Sequence, residues 1–82
     1  MEFNGIWKNI ETGEFIEISS SNSADTFILS FDTDLNSSEI IKILISNSEH
    51  ALLTQSEKFG RQNIFILSAD KFKIGNTLFI RE

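Results

Sequence analysis

Eighty-two residues with twelve acidic and seven basic side chains, a net charge of −5 and no cysteine describe one domain near the smallest size at which an apolar core folds unaided. No disulfide or thiolate metal site can add stability. The acidic balance argues against a phosphate-binding surface and hence against direct nucleic-acid binding. No run approaches the ~18 apolar residues of a membrane-spanning helix.

The opening "MEFNGIWKNI" lacks the basic start and apolar run of a signal peptide. Because small secreted domains are usually stapled by disulfides, the expectation is a cytoplasmic protein. Charge is unevenly spread: residues 1–41 hold eight acids and one base, Lys8, for a net of −7, whereas residues 42–82 hold four acids and six bases, for a net of +2. That polarity reads as scattered surface charge, with steering of a partner as the alternative.

In chain order, short Ile- and Phe-rich runs alternate with Asn, Ser, Asp and Gly breaks, and there is no proline. This is the spacing of an all-β fold. Strands are predicted at 4–10, 14–20, 26–32, 39–46, 51–55, 62–68, 70–74 and 77–81, forming a small antiparallel meander barrel or closed sheet of about seven to eight strands over residues 1–82. The first hairpin, "KNIETGEFIE", turns at Thr12-Gly13. A two-residue loop there sets Trp7 opposite Ile18, Asn9 opposite Ile16 and Lys8 opposite Glu17. "SSSNSAD" at 19–25 is a surface loop. In "TFILSFD", Phe27, Leu29 and Phe31 point inward, and Ile28, Ser30 and Asp32 point out.

"FDTDLNSSE" places Asp32, Asp34 and Asn36 at the spacing that opens a calcium loop, but Ser37 replaces the sharp-turn glycine and Ile43 the bidentate glutamate. An acidic β-turn is expected instead. The segment 46–60 has no Ile or Val; it opens with Ser46-x-x-Glu49, a capping-box pattern, and ends in Gly60. A short helix near 48–59, giving an α+β fold, is therefore the alternative to a strand plus loop. His50 is the only histidine, and a chain this short has little room for a cleft and an oxyanion hole around it. The glycines Gly5, Gly13, Gly60 and Gly75 are dispersed, and none belongs to a phosphate loop. Neither enzymatic activity nor a cofactor is expected. The last hairpin, "KFKIGNTLFI", turns at Gly75-Asn76 with a type II′ geometry, setting Ile74 opposite Thr77, Phe72 opposite Phe79 and Asp70 opposite Arg81. With these faces assigned, Ile10, Phe15, Ile28, Ile40, Leu44, Leu78 and Ile80 are left on the outer side, an apolar excess that suggests a dimer or a protein partner.

Gly5-Ile6-Trp7 on the first strand, together with Arg81 on the last, resembles the signature of lipocalin-like barrels, the calycins. The resemblance implies that Trp7 plugs one barrel end and that Arg81 packs across its ring. Among short members the chain looks most like the staphostatins, small intracellular inhibitors of cysteine peptidases. In these a glycine-containing loop near the C-terminus enters the peptidase cleft as a substrate would. Two stretches correspond to that loop, "KFGRQN" at 58–63 and "KIGNT" at 73–77, so Phe59, Gly60, Arg61, Ile74, Gly75 and Asn76 are the candidate partner-binding residues.

Strands this short, with so many large side chains pointing inward, predict a filled lumen. Function then lies on loops and outer faces. The leading expectation is a non-enzymatic domain that blocks an intracellular protein, most concretely a peptidase inhibitor. One alternative is a phage or bacterial anti-defence or immunity protein with an acidic surface, acting on a defence or toxin enzyme. A small-molecule binder of lipocalin type and a homodimerisation module complete the set.

Overall fold

A computed structural model describes all 82 residues as a closed all-β barrel without helices. Its strands are β1 (Gly5–Asn9), β2 (Phe15–Ser20), β3 (Thr26–Phe31), β4 (Ser37–Ile45), β5 (His50–Gln55), β6 (Gln62–Ser68), β7 (Lys71–Ile74) and β8 (Thr77–Arg81). Each strand pairs antiparallel with the next, and β1 closes the barrel on β8 with Trp7 opposite Arg81, Lys8 opposite Ile80 and Asn9 opposite Phe79. Closure removes every open strand edge, so other chains can meet this protein only through side chains and loops. Register shifts at Lys42/Ile43 and at Ile66/Ser68 supply the local bending that a closed sheet of short strands requires.

The period-2 pattern is visible throughout. Phe27 and Leu29 on β3 are buried and Phe31 packs partly against them, while Ile28 between them is exposed. The β7–β8 hairpin has the predicted register, Phe72 opposite Phe79 and Ile74 opposite Thr77. Gly75 takes φ +59 there, the left-handed first position of a type II′ turn.

One expectation is corrected, and one alternative is set aside in favour of the strand expected at 51–55. In the first hairpin Trp7 pairs with Ile16 and Lys8 with Phe15, not Trp7 with Ile18 or Lys8 with Glu17. The slip is two residues, so Trp7, Ile16 and Ile18 still share the inner face. Its cause is Asn9, whose Oδ1 accepts hydrogen bonds from the backbone N–H of Glu11 (2.9 Å) and Thr12 (3.3 Å). The side chain replaces a ladder partner and lengthens the loop. The helix near 48–59 does not form: β5 occupies Gln55 and the five residues before it, with Ala51 and Leu53 buried. The capping signals are used differently. Asn47, rather than Ser46, accepts from the Glu49 N–H (2.8 Å), and Gly60 ends a single turn through its N–H to the Ser56 carbonyl (3.0 Å).

Inside, aromatic rings run from one end of the barrel to the other. Phe3, which precedes the first strand, meets Phe72 edge-on at 5.5 Å. Phe72 stacks on Phe79 at 5.4 Å, and Phe79 meets Phe59 edge-on at 5.8 Å. Phe3, Phe72 and Phe79 are among the fifteen buried apolar residues that make up the core. The open space left among them is about 10 Å³, less than a water molecule occupies.

Candidate partner-binding end of the barrel

In a meander the hairpin loops alternate between the two ends. The loops after β1, β3, β5 and β7 therefore emerge together, opposite the two chain termini. Both glycine-containing stretches, 58–63 and 73–77, are thus at one end.

The 56–60 turn is held from below by a carboxylate. Glu39, which shares the inner side of β4 with Ile41, accepts hydrogen bonds from the Ser56 hydroxyl, from the Glu57 N–H (2.8 Å) and from the Lys58 N–H (3.2 Å). Ser56 Oγ accepts from the Phe59 N–H (3.1 Å). Three consecutive backbone donors are satisfied by side chains, which is why one helical turn persists here without a helix. Removal of that carboxylate frees the turn. Glu39→Ala is expected to cost about 1–2 kcal/mol, the scale of a lost cap, read as a lower urea midpoint with an unchanged slope.

Phe59 tucks its ring inward against Phe79, and its carbonyl accepts from Gln62 Nε2 at 2.8 Å. The same Gln62 side chain lies directly over Gly75, in the space a β-carbon there would need. Gln62 therefore lies between the two loops, and the Gly75 N–H joins them by donating to the Asn63 carbonyl (2.8 Å). Of the six candidate residues, Gly60, Arg61 and Asn76 are exposed and Gly75 is half-buried. Phe59 packs against the core, and Ile74, 5 % exposed, lies inside it.

Beside this turn, an open depression of about 700 Å³ is bordered by Asn9, Thr12, Glu14, Thr33 and Lys58. Lys58 is pinned by a 3.1 Å ion pair to Glu14 and by the Phe31 ring, 4.6 Å from its Nζ. The neighbouring 32–36 loop is a β-turn in which the Leu35 N–H reaches the Asp32 carbonyl (3.1 Å). Asp32 (φ 88) and Leu35 (φ 56) both adopt left-handed backbone without being glycine, and such strain is concentrated at binding segments. Asp32, Asp34 and Asn36 lie on this turn, and no group of three or more His, Cys, Asp or Glu side chains is arranged to hold a metal ion. His50 Nε2 lies 3.3 Å from Asn63 Oδ1, and its ring leans on Phe65. The arrangement suits docking through loops.

Trp7 and Arg81 are on the sheet near the terminal end. Trp7 is fully buried, and its indole N–H donates to the Phe3 carbonyl at 2.9 Å. The Arg81 guanidinium lies 4.1 Å from the centre of the Trp7 ring. It also donates to the carbonyls of Asn4 (2.8 Å), Glu2 (2.6 Å) and Ala69 (2.9 Å), and it pairs with Asp70 at 3.1 Å. Gly5 has φ +135, and a β-carbon there would lie 2.8 Å from Arg81 Nη1. Glycine two residues before the tryptophan is what lets the guanidinium reach the ring.

Sequence reasoning overlooked Phe3, Glu39 and Gln62. Phe3 carries no strand signal. The other two act across 17 or more residues or through a neighbouring loop, and no local pattern encodes such contacts. Set beside known protein families, curated proteins and solved structures, the chain matches none of them significantly.

Proposed function

We propose that this chain is a non-enzymatic protein-binding domain that blocks an intracellular partner, in its most concrete form a peptidase inhibitor of staphostatin type within a lipocalin-like barrel. The observation that carries the reading is the pair of glycine-tipped loops, joined by the Gly75–Asn63 backbone bond with Gln62 packed between them, at one end of a barrel with no lumen. A rigid loop presented from a filled scaffold loses little entropy on binding, which is what a substrate-like inhibitor needs. Gly60, with φ +71, and Arg61 are the exposed residues that would enter a cleft. A carrier role would require a cavity of at least ~300 Å³, against the roughly 10 Å³ inside this barrel.

The test is peptidase turnover with increasing amounts of the protein, using cysteine peptidases of papain-like specificity. Inhibition that weakens at least tenfold in Arg61→Glu supports the reading. Unchanged rates, and no complex on gel filtration, remove it. The second reading, an anti-defence or immunity protein, draws on the exposed Glu11, Asp32, Asp34 and Glu57 around the same end. It predicts partner binding that is lost at high salt, whereas an apolar contact would persist.

A further inference from the structure

Two apolar areas remain on the outside of the barrel, and their charges differ in sign. On β1 and β2, Ile6 (39 % exposed) and the half-buried Phe15 are outward-facing. Together with Leu35 from the strained 32–36 turn they line an open depression of about 380 Å³, and its charged lining is Asp34 and Glu82. Glu17 pairs directly beside Ile6. Lys8, the one base in this half of the chain, lies over the Phe15 ring, 5.8 Å from its centre, and does not line the depression.

On β4 to β7 the pattern is reversed. Phe65 (41 % exposed) and Leu67 (54 % exposed) project from β6, with Leu44 and Leu52 paired on the adjoining strands. Lys73 pairs across from Phe65, and Lys71 lies one step further along β7. Glu49, from the turn before β5, borders Phe65 and Leu67 on the other side, so the basic flank is the β7 one.

We propose that the protein self-associates head to tail. Phe65 of one copy inserts between Ile6, Phe15 and Leu35 of the next, and Lys73 meets Asp34 and Glu82. The occupant is a second copy because a single chain carries both halves of the contact, an apolar projection with a cationic flank on β7 and an apolar depression whose charged lining is anionic. Phe65 on β6 and Ile6 on β1 have β7 and β8 between them on the closed sheet, so each copy can use both at once. Such a contact is heterologous and open-ended, unlike a symmetric dimer. It engages the 32–36 turn and Lys73 but leaves Gly60 and Arg61 free, so it stands independently of the inhibitor reading.

Sedimentation velocity over a concentration series tests it. The expected result for the wild type is a mean mass that rises past the dimer without a plateau and falls back to the monomer at high salt. Phe65→Glu destroys the projection and Asp34→Arg the depression, and each variant alone should remain a monomer. An equimolar mixture should form a 1:1 dimer and nothing larger, because only one intact pair of surfaces remains. Lys73→Glu is a second projection variant at an outward position, should Phe65→Glu lower the melting temperature. A wild type that stays monomeric, a wild type that stops at the dimer, or a mixture of folded variants that stays monomeric would each overturn the proposal.

Discussion

Trp7→Ala is expected to leave the chain without a cooperative unfolding transition. The side chain is fully buried, it meets Phe72 edge-on at 4.5 Å, and its indole N–H satisfies the Phe3 carbonyl. Truncation removes the largest side chain of the core and leaves a cavity where the barrel has almost no free space, a change worth about 3–5 kcal/mol. A domain of this size holds about 5 kcal/mol in total, so the loss leaves little of it folded. Replacement of Arg81 by alanine provides the control. The guanidinium is partly solvated, and water can replace it at the carbonyls it bonds. The expected cost is about 1–2 kcal/mol, with the fold retained. Near-ultraviolet circular dichroism and urea titration of the two variants separate these outcomes. A Trp7→Ala protein that melts as the wild type does but no longer binds its partner would make Trp7 an interface hot spot and overturn both its packing role and the lipocalin-like resemblance.

Phe3→Ala is expected to be nearly as damaging, although the residue lies outside every strand and near a chain end, where substitutions are usually tolerated. Only 2 % of Phe3 is exposed, and its ring meets Phe72 and Phe27 edge-on. It stops the barrel at one end as Phe59 does at the other, and both border the remaining internal space. The loss should be about 3–5 kcal/mol. The Arg81 contacts to Glu2 and Asn4 should loosen with it, because the segment that presents those carbonyls is anchored by this ring. Amide exchange of Gly5 and Ile6 would show the loosening before global unfolding. Native-like stability of Phe3→Ala would mean that the N-terminal segment only covers the barrel and is not part of its core.

Those two residues also mark the division between what is legible in the linear chain and what is not. Strand existence, the inner faces of β3 and β8 and the position of the last turn follow from side-chain alternation and from turn-forming residues, which are properties of a few consecutive positions. Face assignment survives even a mistaken register, as in the first hairpin, because a two-residue slip returns each side chain to the same side. The register itself depended on whether the Asn9 carboxamide or a backbone group would satisfy the Glu11 and Thr12 N–H groups, and only the folded loop decides between them. In the 46–60 segment the helix-capping pattern was a true local preference. It yielded because Ala51 and Leu53 have to bridge β4 to β6 for the sheet to close.

The burial of Phe3, the Glu39 carboxylate beneath the 56–60 turn and the Gln62 side chain packed over Gly75 all join residues that are distant in sequence or lie in different loops. Each stabilises the chain only once the barrel has formed. The sequence alone specifies a small, acidic, filled β-structure with excess apolar surface. Which loops share an end, and which exposed side chains become neighbours, was decided by an even number of antiparallel strands closing into one sheet.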